Sequence, residues 1–246
     1  MKLLMDIGNS RLKWTVENKG CLRRVESLDY RQDDFLSKLT QQWQAGVSPT
    51  QIAIASVSGK PILNTLTDFC KNLWPDVVPI VPISSACAFG VTSAYQAPEK
   101  LGVDRWLALI AAHRHYVGDI CVVDCGTAIT VDALQSDGKH LGGLICPGLL
   151  MMKKSLASNT ADLSFNAQSG QTGLAAETSA AIANGVLTAV LGLINQVMQG
   201  FNNHYQLVLT GGDAEIVAQS LAMPSILDRE LVLKGLSIYC AGEQTV

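Results

Sequence analysis

The sequence predicts an α/β fold in which one unit, built on a mixed sheet, occurs twice. Three observations lead there. Cys121, Val122 and Val123 run into Asp124, Gly126 and Thr127, and a β-branched run resumes at Ile129, Thr130 and Val131, the pattern of strand, tight turn and strand. Leu3, Leu4 and Met5, then Asp6, Gly8, Asn9 and Ser10, then Leu12, Trp14 and Val16 give the same pattern more than a hundred residues earlier. Each half also reads in one order: three strands, helix, strand, helix, strand. The boundary falls between Tyr116 and Gly118, giving units at 1–117 and 118–246.

In the first half, residues 2–7 and 11–17 read as strands around a turn at 8–10, and 21–28 as a third strand. A helix opens at Asp33 or Asp34, sets Leu36, Leu39 and Trp43 at helical spacing, and ends at Gly46. Residues 51–57 read as a buried strand. Pro61 suits the first turn of a helix that groups Ile62, Leu66, Phe69 and Leu73. Pro79 and Pro82 confine a strand at 77–83 to a sheet edge. The stretch 84–99 is irregular, and a loop of that length in a compact domain is functional or mobile. It leads into L-G-V-D-R-W at 101–106 and a helix through Leu107, Ile110 and His113.

In the second half, strands at 120–124, 129–134 and 139–145 precede a helix opened by Pro147 and Gly148. Gly142 and Gly143 in the third strand mark a bulge or a close approach to a ligand. Polar residues 159–173 form a second candidate mobile loop. The helix at 174–198 is apolar or small around much of its circumference, so burial on several sides is expected. A strand at 207–209, the turn T-G-G-D-A at 210–214, a helix to Leu221, a short strand at 231–233 and a helix at 235–241 complete the chain. Each unit then holds an antiparallel hairpin beside parallel strands joined through helices. A cleft between two such units is a natural ligand site, in which the Asp6 and Asp124 hairpins would face each other.

Composition narrows the function. The 246 residues, 48% hydrophobic and 16% charged, supply a core and argue against disorder. A net charge of −3 without a basic run gives no reason to expect a nucleic-acid partner. Seven dispersed cysteines without a C-x-x-C read as reduced thiols. The first apolar run is cut by Asp6 before signal-peptide length. The longest apolar helix, near 185–198, reads as too short and, with Thr188, Asn195 and Gln196, too polar to span a bilayer. A cytoplasmic protein without a membrane partner is the expectation.

A carboxylate at the end of a buried strand, followed by glycine and a hydroxyl, is poor core material. It is good phosphate-site material, because glycine lets backbone N–H groups approach an oxyanion and the carboxylate can hold a cation beside it. An ordinary turn would use the same residues, but two copies with like flanks favour the site. Asp104 at a helix start suits the helix dipole; it also suits a general base, with Arg105 as a binder of an anionic group. Thr210, Gly211 and Gly212 form either a plain strand-to-helix turn or a close approach of backbone to a nucleotide. His113 and His115 face different ways on their helix, and His140 and His204 have no partner in the sequence. Neither a P-loop motif nor a G-x-G-x-x-G after a strand occurs.

Taken together, D-I-G-N-S at 6–10, Y-x-x-P-x-x-L-G-V-D-R at 95–105, D-C-G-T-A at 124–128, G-G-L-I-C-P-G at 142–148 and G-G-D-A at 211–214 resemble the type III pantothenate kinases. These are also named Bvg accessory factor homologues and belong to the acetate and sugar kinase/Hsp70/actin superfamily. The resemblance covers nearly the whole chain. It implies two ribonuclease H-like units with mixed five-stranded sheets flanked by helices. It implies transfer of phosphate from ATP to pantothenate, the first step of coenzyme A biosynthesis.

Residue by residue, the resemblance implies that Asp6, Ile7, Gly8, Asn9, Ser10, Arg11, Leu12 and Lys13 bind ATP phosphates, and that Thr127, Gly211 and Gly212 contact ATP. Tyr95, Gly102, Val103, Asp104, Arg105 and Thr178 would bind pantothenate, with Asp104 accepting the hydroxyl proton. Asp124 would hold a monovalent cation, potassium or ammonium, and Mg²⁺ would accompany ATP, held through water near Asp6. Ser10 stands where many relatives have Thr, with the hydroxyl kept. A homodimer is implied, its pantothenate pocket built from both chains, and the long apolar helix is the expected interface. Two alternatives stay open: another small-molecule kinase or phosphatase of the superfamily, and a nucleotide-binding accessory regulator, which would be marked by loss of Asp104.

Overall fold

A computed structural model of the chain describes residues 1–44, 46–158, 170–201 and 204–242. By its contacts the chain divides into Met1–His115 with Glu230–Val246, and Tyr116–Arg229.

The first unit is organised around β1 (Lys2–Ile7), whose apolar run Leu3, Leu4 and Met5 is fully buried. β2 (Leu12–Asn18) returns antiparallel to it, with Lys13 opposite Asp6. β3 (Cys21–Leu22) and β4 (Glu26–Leu28) both pair with β2. The expected single strand at 21–28 is thus broken. Glu17 faces Leu22 while Trp14 faces Glu26, so the register slips by one residue. The extra residue lies in the Arg23 segment, where Arg23 N–H donates to the Val16 carbonyl (2.9 Å) and the Thr15 hydroxyl to the Arg23 carbonyl (2.8 Å). α1 (Phe35–Gln44) then crosses to β5 (Gln51–Ser56), which runs parallel to β1.

α2 (Lys60–Leu73) follows, with Pro61 in its first turn as the sequence predicts. Trp43 of α1 packs edge-on to Trp14 at 6.2 Å and against Phe69 and Trp74, which closes the apolar cluster under the sheet. The edge position expected for 77–83 holds only as a single bridge. Ile80 exchanges backbone bonds with Ile52 and Ile54 on β5, and the flanking Pro79 and Pro82 have no N–H to extend the ladder. The irregular stretch 84–99 contains a small hairpin, β6 (Cys87–Ala88) and β7 (Val91–Thr92), turning at Phe89 and Gly90, both with positive φ. α3 (Val103–His115) ends this part of the chain.

In the second unit, β8 (Ile120–Cys125) is central. β9 (Ala128–Leu134) lies antiparallel to it, and β10 (His140–Pro147) antiparallel to β9 with a register shift between His140 and Gly142, the expected bulge. α4 (Leu149–Ser158) and α5 (Thr178–Gly200) lead to β11 (Gln206–Thr210), parallel to β8. α6 (Ala214–Ser220) and β12 (Ile226–Leu227), parallel to β11, finish the sheet, whose order is β10-β9-β8-β11-β12. The first sheet, β3-β2-β1-β5, follows the same plan, with the Ile80 bridge where β12 stands in the second. The expected mobile loop at 159–173 lies, up to residue 169, outside the described residues. His140, without a partner in the sequence, meets buried Asp132 across the hairpin at 2.8 Å.

Three further expectations change. The strand placed at 231–233 is the start of α7 (Leu231–Ala241), one continuous helix capped by Gly242 at φ +66. An apolar triplet such as Leu231, Val232 and Leu233 fits either element; burial of Gly235, Leu236 and Cys240 at helical spacing decides it. α7 also groups with the first unit, where a boundary at 117/118 leaves it with the second. Gly235 lies so close to α3 that a Cβ would overlap the Leu107 carbonyl, so the two helices meet backbone to backbone. Finally, α5 is neither too short nor too polar to cross a bilayer, with 23 residues and a mean hydropathy of 1.6 in its most apolar window. Its place is in the core instead: Val186, Leu187, Val190, Leu191, Ile194 and Met198 are buried against the second sheet.

Candidate functional site

The first D-x-G hairpin is rigidly held. Asp6 is the penultimate residue of β1, followed by fully buried Ile7, and is itself 9% exposed. Gly8 N–H closes the turn on the Arg11 carbonyl (3.0 Å). The Gly8 carbonyl accepts from the hydroxyls of Tyr30 (2.9 Å) and Ser58 (2.7 Å). Arg31 donates to the Asn9 carbonyl (2.8 Å), and Arg11 to the Ser27 hydroxyl (2.7 Å). Asn9 and Arg11 are exposed and Ser10 and Lys13 half-buried. Backbone and side-chain donors at the tip of a braced turn are suited to an oxyanion.

In the same unit, the 84–105 segment assembles a second group. The Arg105 guanidinium, on a residue 6% exposed, donates to the Tyr95 hydroxyl at 2.7 Å and lies 5.6 Å from the centre of its ring. Asp104 occupies the first turn of α3, where its Oδ1 accepts the Arg105 N–H at 2.7 Å. It curls back over Gly102, where a Cβ would lie 2.6 Å from that oxygen. The Ser84 hydroxyl, buried, donates to the Leu101 carbonyl at 2.8 Å and fixes the approach to the helix. Tyr95, Gly102, Asp104 and Arg105, ten residues apart at the extremes, are thus brought together.

In the second unit, the turn after β8 is enclosed by glycines from two other elements. Asp124 lies opposite Thr130 on β9 and Thr210 on β11. A Cβ on Gly211, which has φ +94, would overlap the Asp124 carboxylate, and one on Gly148 would overlap the Gly126 carbonyl. Gly148 N–H donates to the Thr127 carbonyl (2.9 Å), and Asp213 N–H to the Cys125 carbonyl (2.9 Å). Thr127 is exposed at the turn. Beside it runs a polar groove of about 750 Å³ lined by Gln171, Thr172, Gly212, Asp213, Glu215 and Gln219 among others. Burial raises the Asp213 carboxyl above its ordinary range, against the opposing pull of Lys153, which is buried on α4. Thr178 stands exposed on the first turn of α5.

Of the residues the sequence singles out, Asp6, Tyr95, Gly102, Asp104 and Arg105 lie in the first unit, and Asp124, Thr127, Thr178, Gly211 and Gly212 in the second. The sequence missed the groove wall at 170–172 and the bracing residues Tyr30, Ser58 and Ser84. Isolated hydroxyls carry no pattern in a single sequence. Gly212 and Asp213, inside G-G-D-A, are the sequence signal for the groove.

Residues 2–200 match the model of a family described as type III pantothenate kinase. A type III pantothenate kinase of Nitrosococcus oceani is 36% identical, covering 96% of this chain and 92% of its own. One of Halorhodospira halophila is 35% identical, with 96% of each chain covered. Among solved structures, a Campylobacter jejuni protein assigned to the Baf family of transcriptional activators superposes with a TM-score of 0.63 at 26% identity over 98% of both chains. The activator of 2-hydroxyisocaproyl-CoA dehydratase from Clostridium difficile, with ADPNP bound, shares the fold at a TM-score of 0.55 and 12% identity, over 97% of this chain and 93% of its own.

Proposed function

The chain belongs to the type III pantothenate kinase family, and on that premise we propose that it transfers the γ-phosphoryl group of ATP to the hydroxyl of pantothenate with Asp104 as proton acceptor. The observation that carries the proposal is the Tyr95–Arg105–Asp104 group. Asp104 is held by the Arg105 N–H and remains half-exposed, so a substrate hydroxyl can reach it. Arg105 presents a buried, oriented guanidinium suited to a carboxylate such as that of pantothenate.

Phosphoryl transfer asks the protein mainly to position the reactants and neutralise charge. The hydroxyl oxygen of pantothenate forms the new bond to phosphorus, its proton passes to the Asp104 carboxylate, and the bond to the β-phosphate oxygen breaks to release ADP. The Asp6–Lys13 turn binds ATP phosphates, Thr127 contacts ATP, and the polar groove lined by Gly212 takes the nucleoside. Mg²⁺ bound with ATP would neutralise phosphate charge, and Asp6 is the carboxylate that would hold it through water.

A monovalent cation fits Asp124. A side chain at Gly211 would fill the space beside that carboxylate. Among the described residues no group of three or more acidic, His or Cys side chains forms a divalent site. One carboxylate with backbone carbonyls is the donor set of a weakly held hard ion.

The homodimer is supported by the outer surface of the second unit. β10 exposes Leu144 and Ile145 (62%), and α4 exposes Leu150 and Met151. The exposed side of α5 carries the small residues Ala181, Gly185, Ala189 and Gly192, which permit a second helix to approach closely. A coupled ADP-release assay with pantothenate, with and without potassium, tests the function. Turnover on sugars or acetate but not pantothenate would replace the substrate, and ATP binding without turnover on any acceptor would favour the regulator.

A further inference from the structure

One wall of the polar groove is set by a single side chain of α5. Segment 170–173 lies so close to the helix that a Cβ on Gly170 would overlap the Ala183 carbonyl. At the next residue of the helix, Asn184 Oδ1 accepts the Gln171 N–H at 2.8 Å, and its Nδ2 donates to the Gly173 carbonyl at 3.0 Å. A side-chain amide that accepts from one residue and donates two residues further on offers the edge of a β-strand to a segment outside either sheet. That segment supplies Gly170, Gln171 and Thr172 to the groove; Gly212 and Asp213 of the β11–α6 turn, with Glu215, Gln219 and Ser220 of α6, supply the remainder of its polar lining. Residues 174–177 then lead into Thr178, so the Asn184 amide closes a loop back onto the helix that the loop itself begins. Asn184 lies six helical steps beyond Thr178, roughly 9 Å along one rigid axis.

We propose that Asn184 is a positioning residue for the nucleotide: its amide fixes the 170–173 wall of the groove, and with it the affinity for the nucleoside part of ATP. The proposal rests on the reading of this groove as the nucleoside site. Asn184 itself is half-buried beneath the segment and acts through the backbone it holds.

The test uses Asn184→Ala and Asn184→Asp in the full chain. ADP binding is measured by calorimetry, steady-state kinetics are measured in each substrate, and amide hydrogen exchange is followed at Gln171. Asn184→Ala is expected to raise the ADP Kd and the KM for ATP about tenfold, as for two lost hydrogen bonds, with kcat at saturating ATP within about twofold of wild type. Exchange at Gln171 should accelerate. Asn184→Asp keeps the acceptor and loses the donor, and should fall between; it decides the matter if the alanine variant does not fold. A fall in kcat with an unchanged KM would reveal only lost folded enzyme and overturn the proposal. So would unchanged ADP affinity in variants whose Gln171 amide has lost protection. Wild-type protein that binds no ADP would sink the nucleoside reading itself, whereas wild-type binding matched by both variants sinks the role of Asn184 alone.

Discussion

The carboxylate of Asp124 occupies the space that a side chain on Gly211 would need. β8 and β11 end side by side, with Asp124 opposite Thr210, and the residue after Thr210 turns at φ +94 to clear the carboxylate. Gly211→Ala is therefore expected to displace Asp124 and to strain the turn by about 1–3 kcal/mol. Thermal unfolding should report the strain, and the KM for ATP should rise. Unaltered kinetics in a folded alanine variant would show that the position of Asp124 is not used.

Asp104→Asn keeps the shape of the group, including an oxygen to accept the Arg105 N–H. It should fold normally and lower kcat by roughly 10²–10⁴-fold, the range for a general base. Turnover near the wild-type level in the purified variant would end the assignment.

Asp124→Asn removes the charge beside the second turn. Wild-type activity should depend on potassium or ammonium, and the variant should lose that dependence with most of its activity. Full wild-type turnover in sodium-only buffer would refute the cation site.

If Asp104 of one subunit and Thr178 of its partner serve one pocket, a chain carrying Asp104→Asn and a chain carrying Thr178→Phe should each be nearly inactive alone. In the mixed dimer both lesions fall in one pocket and the other pocket is intact, so re-association should restore activity. A monomer in sedimentation at working concentration, or mixed dimers without activity, would rule out the shared pocket.

Burial pushes the thiols of Cys70 and Cys121 up to about 12 and that of Cys240 up to about 11, while Cys21 and Cys87 are exposed. The thiolate is the reactive form. At pH 8 a chromogenic disulfide should therefore modify Cys21 and Cys87 first, with all seven cysteines reacting only in denaturant. The sign for stability follows. Above the ordinary thiol value of 9.0 the unfolded chain loses these protons before the folded one, so stability should fall as the pH rises beyond it. Rapid reaction of Cys121 in folded protein would contradict the burial.

Much of this was legible because strand ends and turns are written in local chemistry. Asp6 and Asp124 stand out as charges closing apolar runs, and Pro61, Pro79 and Pro82 mark a helix start and a sheet edge. Contacts between distant segments were not legible. Nothing local to Asn184 announces Gln171 and Gly173, and nothing near His140 announces Asp132. The triplet Leu231, Val232 and Leu233 misled because hydrophobicity without periodicity fits either element. The break near Arg23 misled because a bulge depends on the partner strand.

The placement of α7 against Leu107 sets the order in which the protein can be finished as it leaves the ribosome. Residues of the first unit emerge first, yet the helix that seals them is translated only after all of Tyr116–Arg229. At ordinary elongation rates that delay is on the order of ten seconds. During it the second unit, being continuous in sequence, can complete its own sheet while the earlier one waits with α3 uncovered. A 1–115 fragment should accordingly stay sensitive to protease until a peptide of the closing helix is supplied in trans, and the nascent chain has a window in which a chaperone would find that bare helix.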